Sequence, residues 1–190
     1  YSDMIATEAE ACCQAIKKAA SGNTLAGIYY GYTIEFANPE PLHCFQETGH
    51  LALRKILKSP HVDFLMSFYH YAARRPGRFS WWMGPLPESC RVHGKLFIGE
   101  HENRTWLDPH LNDSPEINYI WAAPNAQQAV TILKRSFACA ATHNAHEVLA
   151  DIYGGWYDDP QIMKCIADVA RISQKEDLDL TPLSEVAVLV

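Results

Sequence analysis

Gly94-Lys-Leu-Phe-Ile-Gly-Glu100-His-Glu-Asn-Arg104-Thr105 is the stretch that decides the fold of this chain. A short apolar run, Leu96 to Ile98, is followed at once by a carboxylate and a dense polar cluster. A strand of a parallel α/β barrel reads this way. Its middle is covered on both faces, and its C-terminal end delivers side chains to the mouth where active sites of that fold sit. Three further runs, 25–30, 62–66 and 147–150, repeat the design, each followed by polar loop and helix signals.

Between the runs lie helical patterns. Residues 4–20 place Ile5, Ala9, Cys12, Cys13 and Ile16 at helical spacing, with Lys17-Lys18 in the last turn and Ser21-Gly22-Asn23 as the stop. A second helix is expected over 50–57, broken by Ser59-Pro60, and a short one over 88–91. Residues 125–142 carry Ala126, Val130, Leu133, Phe137 and Ala141 on one face. Residues 160–174 form the last helix, with Pro160 in its first turn and Asp158 or Asp159 as cap.

One helix and then four strand–helix units predict a parallel sheet with crossover helices. Four such units are half of a (β/α)8 TIM barrel, and 190 residues fall short of the roughly 250 of a complete one. The expected architecture is therefore an α/β parallel half-barrel over residues 1–178. Residues 179–190 read as a linker and the first strand of a following domain, on the β-branched run Val186–Val190. The sequence reads as cut at both ends.

The composition, 48% hydrophobic and 20% charged, is that of a globular domain. The formal net charge is −6 and no Lys/Arg stripe is present, which argues against a nucleic-acid or membrane-surface partner. No apolar run approaches the roughly 18 residues of a membrane span. The six cysteines contain no Cys-x-x-Cys pair and read as buried free thiols rather than a zinc site. No metal or cofactor is expected, and the compartment is left open.

Six segments stand in order along the chain: Tyr30-Gly-Tyr-Thr-Ile-Glu35, Gly49-His-Leu-Ala-Leu-Arg54, Ser59-Pro-His-Val-Asp-Phe-Leu65, Arg91-Val-His-Gly-Lys-Leu96, Glu100-x-x-x-Arg-Thr105 and Gly154-Gly-Trp-Tyr-Asp-Asp-Pro160. In this order they resemble the second half of the catalytic barrel in β-galactosidase-like glycoside hydrolases of family 42. The resemblance implies a retaining enzyme acting on β-galactoside-like substrates, with its nucleophile at the end of the seventh strand. Counting the strands here as five to eight puts Glu100 in that place. The acid/base of that family ends the fourth strand, which would lie before Tyr1. The run 186–190 resembles the start of the family's next domain, which is associated with trimer assembly.

Retaining hydrolysis needs two carboxyl groups about 5–5.5 Å apart, one attacking the anomeric carbon and one passing the proton. A nucleophilic carboxylate must stay ionised, which makes Arg104 a candidate neighbour for Glu100, though an Arg there also suits a surface. Glu100 itself has the alternative of a solvated loop carboxylate. Tyr32 and Glu35 end the first strand; Glu35 is a second site carboxylate, a sugar-hydroxyl acceptor, or a helper of the next helix. Tyr69 and its loop neighbours Tyr71 and Trp82 suit either sugar binding or docking to another subunit. Asp151 binds substrate or anchors Arg104, and Trp156 is a sugar platform or an aromatic covering the barrel rim. Arg74, Arg75 and Arg78 read as a solvated loop, His93 and Lys95 as structural, and His101-Glu102 as too few ligands for a metal.

The expected partners are a carbohydrate substrate and either further copies of the chain or the missing barrel half. The rival reading is a non-catalytic carbohydrate-binding or scaffold module that keeps the aromatic loops.

Overall fold

The computed structural model describes residues 1–33, 48–70, 74–77, 87–111 and 121–175. Glu35, Tyr71, Arg78, Trp82 and the run 179–190 lie outside these residues. The elements in chain order are α1 (Ser2–Ala19), β1 (Gly27–Tyr29), α2 (Leu53–Lys58), β2 (Phe64–Phe68), α3 (Pro87–Val92), β3 (Leu96–His101), α4 (Ala126–Thr142), β4 (His146–Leu149) and α5 (Pro160–Ser173).

The strands form one parallel sheet in the order β1-β2-β3-β4. Each strand therefore pairs with the next in sequence, and the return helices supply the crossovers that parallel neighbours require. Four parallel βα units in this order make half of a (β/α) barrel. The register aligns Gly27 with Phe64, Phe64 with Leu96, Phe68 with Glu100, and Glu100 with Val148. Gly27 is obligatory here, because a Cβ at that position would run into the Phe64 ring.

Alternation along the strands separates two faces. Leu65, Ser67, Phe97 and His101 are buried beneath the helices. Phe64, Met66, Phe68, Ile98 and Glu100 on the other face are only partly buried, and Leu96 and Val148 are exposed. In a closed barrel this second face is the interior.

Two core clusters lie under the helices. One joins Ala6 and Cys13 of α1, Ile56 and Leu57 of α2 and Cys90 of α3 to Leu65 and Phe97 of the sheet. The other joins Ala129 and Leu133 of α4 and Ile162 and Cys165 of α5 to Trp156 and Tyr157. Each fully buried aliphatic side chain contributes about 1.5–3 kcal/mol relative to exposure. Of the face expected on α1, Ile16 and Cys12 are exposed, because Ala6 rather than Cys12 meets the sheet. The buried stripe of α4 runs through Ala129, Ile132, Leu133, Ser136 and Ala140; Leu133 was expected there, and the others lie one step round from the expected Val130–Phe137 line. That helix serves two neighbours, the sheet on one side and α5 on the other.

Local signals end the elements where expected. Gly22, at φ +80°, returns its N–H to the Lys17 carbonyl after α1. The Asn125 side chain accepts from Gln128 N to cap α4. At α5 the cap is Asp159, accepting from Gln161 N and Ile162 N with Pro160 as the first helical residue. No described helix is long and apolar enough to cross a membrane.

Candidate active site

β3 runs three residues further than the apolar pattern implied, so Glu100 is still in the strand, paired with Phe68 and Val148. Its side chain lies on the helix-free face near the C-terminal end, where a barrel keeps its chemistry. Tyr29, two strands away on the same face, lies near enough for its hydroxyl to favour the ionised carboxylate. Burial and the Glu100 charge push the Tyr29 hydroxyl up to about 12, so it is a donor at any physiological pH.

The Glu100 carboxyl is itself raised. Burial is the main cause and the charge of Glu102 adds to it, while the Tyr29 hydroxyl and the Arg74 guanidinium act in the opposite direction. Glu102 is 7% exposed and Arg74 1% exposed, and they form an ion pair of 3.1 Å.

An aromatic wall stands beside this carboxylate. The Tyr32 ring packs edge-on against Phe68 at 4.8 Å and against Tyr29 at 6.4 Å. His50 stacks on Tyr32 at 4.7 Å. Its Nδ1 accepts from the Gly31 N–H at 2.9 Å, which requires a neutral ring with the proton on Nε2. Burial lowers the His50 pKa and keeps the ring in that form. Tyr30 secures the same corner from the outer side, donating to Gly49 O and accepting from Ala52 N.

The residues expected at the site divide. Tyr32 and Glu100 come together. Tyr69 does not join them: it is buried on the helix side, where its hydroxyl donates to Glu147 Oε1 at 2.9 Å. His101 on that same side contacts Ser136 Oγ at 3.0 Å. This buried polar network packs the sheet against α4.

Arg104 is not the neighbour of Glu100. It is 3% exposed, pairs with Asp108 four residues on, and lies over the Trp156 ring at 5.7 Å. Trp156 is 1% exposed, and its carbonyl accepts from Thr105. It fills the core behind the rim, and the exposed aromatic of that loop is Tyr153. Asp151 is exposed and accepts from Trp156 N at 3.0 Å rather than holding Arg104.

Arg74, read from sequence as part of a solvated loop, is among the most deeply buried large side chains. A signal was present: Glu102, two residues past the strand-end carboxylate, needs a cation if it is buried. His50 was also missed as a site residue, although its Gly49-His50 segment had been singled out. His101 and Glu102 serve different partners, and no group of three metal-ligating side chains occurs among the described residues. A cavity of about 370 Å³ lies between α4, α5 and β4, lined by Leu133, Phe137, Ile166 and Val169, and Glu100 has no part in it.

No family model, curated protein or solved structure matches the chain.

Proposed function

We propose that this chain is the nucleophile-bearing half of a retaining β-glycosidase barrel, with Glu100 as nucleophile and a β-galactoside-like substrate. The observation that carries the reading is the placement of Glu100. It is a half-buried carboxylate on the helix-free face, at the C-terminal end of a parallel strand, with a tyrosine hydroxyl directed at it and an aromatic wall alongside. The Glu100 carboxylate attacks the anomeric carbon and forms a glycosyl ester as the aglycone leaves; water then cleaves the ester. The Tyr29 O–H stabilises the charge before attack and is released from it as the ester forms. Tyr32 and Phe68 offer apolar ring surface to the C–H face of a pyranose. Asp151 and Arg104 belong to the rim of this site, the first open to solvent and the second behind it.

The acid/base of this reading comes from four further strands that close the eight-stranded barrel and cover the open face. The 190-residue chain by itself is then nearly inactive. Residues 179–190 begin the domain that follows the barrel.

The test uses a 2-deoxy-2-fluoro-β-galactoside with a dinitrophenolate leaving group, which needs no proton donor to depart. Incubated with the chain joined to its upstream half, it should leave a covalent sugar on Glu100, located by peptide mass spectrometry. A label on another carboxylate, or none while turnover continues, would reject the assignment. The raised Glu100 carboxyl also suits a proton donor. In that second reading Glu100 stays unlabelled and its removal spares substrates with good leaving groups.

A further inference from the structure

Arg74 sits where two strand ends meet, those of β2 and β3, and its contacts are unusually complete for a residue outside any element. Its Nε and Nη2 donate to the Tyr69 carbonyl just past β2, at 3.2 and 3.0 Å. Its Nη1 donates to the Glu102 carbonyl just past β3, and its Nη2 to Glu102 Oε2 at 3.1 Å. The backbone that carries it is held from α4, where Arg135 donates to the carbonyls of Arg74 and Arg75, both at 3.1 Å. On the far side of β3, Tyr157 donates to the His101 carbonyl at 2.8 Å. The strand end bearing Glu100 is thus gripped from both sides, and the grip on the β2 side is a charge.

We propose that Arg74 is a positioning residue for Glu100: one guanidinium locks the ends of β2 and β3 together and, by pairing with Glu102, balances the second carboxylate at the strand end that carries Glu100. A planar fork with five donors can bond two carbonyls and a carboxylate at once, which a lysine cannot. The charged and titratable groups facing Glu100 are Tyr29 from β1, Arg74 from the segment after β2, and Glu102 from the end of β3; β4 places Val148 beside it. Of these, Arg74 and Tyr29 favour the ionised form and Glu102 opposes it. Removing the cation withdraws one support and takes from the opposing Glu102 the guanidinium it pairs with. This inference rests on the reading of Glu100 as the site carboxylate, but its test does not depend on turnover.

The experiment follows the Glu100 side-chain carboxyl carbon by NMR from pH 3 to pH 9 in the full chain, with the resonance assigned by its loss in Glu100→Gln. In Arg74→Met the titration midpoint should move up; in Glu102→Gln it should move down. In the double variant, where neither charge remains, it should return towards the wild-type value. A residue that merely fills space would leave the midpoint where it was. If Arg74→Met does not fold, Glu102→Gln decides alone, since that change keeps shape and removes the charge. A midpoint unmoved in folded Arg74→Met or in Glu102→Gln overturns the proposal. Failure of the sugar-labelling test with these shifts intact would reject the glycosidase reading and leave the Arg74 assignment standing.

Discussion

At the N-terminal ends of the strands, Asp63 receives the Lys17 ammonium at 2.6 Å and the Ala26 N–H at 2.9 Å. Lys95 there donates to the carbonyls of Ser59 and Val62, each at 2.6 Å. At the C-terminal ends, Glu100 and Glu102 lie near one guanidinium, and the carboxyl of Glu100 is raised. For Asp63, burial alone would raise the carboxyl, but the Lys17 and Ala26 contacts outweigh it and the net shift is downward. One end matches charges with partners and gains stability; the other holds a carboxylate in an environment that disfavours its charge. Tension of that second kind is what a reactive group needs and a structural one does not.

The largest expected effect lies at the upper end. In the chain joined to the proposed upstream half, Glu100→Gln keeps shape and hydrogen-bonding capacity but removes the proposed nucleophile. Turnover should fall by about a thousandfold or more, with the far-UV spectrum and melting unchanged or slightly improved. Full activity in this variant would place the chemistry elsewhere and erase the contrast between the two ends.

Next comes Arg74→Met. Breaking a buried pair by removing one partner, here the guanidinium that pairs with Glu102, costs about 3–5 kcal/mol. A urea midpoint that barely moves would mean that Glu102 finds water or another donor once Arg74 is gone. At the lower end, Asp63→Asn removes a partly exposed charge-assisted contact and should cost only about 0.5–1.5 kcal/mol. Its pH dependence has a definite sign. The folded carboxyl lies below its ordinary value, so the contribution is present above that value and is lost as the pH falls through the lower, folded one. Wild type and Asp63→Asn should therefore begin to converge in stability below about pH 4 and meet only beneath the folded value.

How much of this was legible in the residues differs between backbone and side chains. The four strands and their parallel order follow from apolar runs alternating with helical patterns, a one-dimensional signal that survives folding unchanged. Strand lengths were less clear, since Gly99-Glu100-His101 carries no apolar run and is held in β3 by pairing with β2 and β4. Which face a strand-end residue takes depends on the parity of the register, and one step separates Phe68 on the open face from Tyr69 behind it. That single step explains why Tyr69 left the candidate site. Arg74 and Trp156 depend on contacts 28 and 51 residues away along the chain, which no local pattern encodes.

The smallest expected effect runs opposite in sign to the first. Glu100 has a raised carboxyl in the folded chain, so folding favours its protonated form. Below the unfolded value the residue is neutral in both states and costs nothing. As the pH rises through the folded value, the ionised side chain is desolvated and faces Glu102, and stability falls. Glu100→Gln never bears that charge. The variant should melt with wild type near pH 4 and a degree or two higher, roughly, at pH 7. The same substitution would then abolish turnover and stabilise the fold, the signature of a group placed for reaction rather than for packing. Calorimetric scans at the two pH values measure the gap. A gap that is absent at pH 7, or that widens towards pH 4, would put Glu100 with Asp63 as a stabilising carboxylate and remove the difference between the two ends of the sheet.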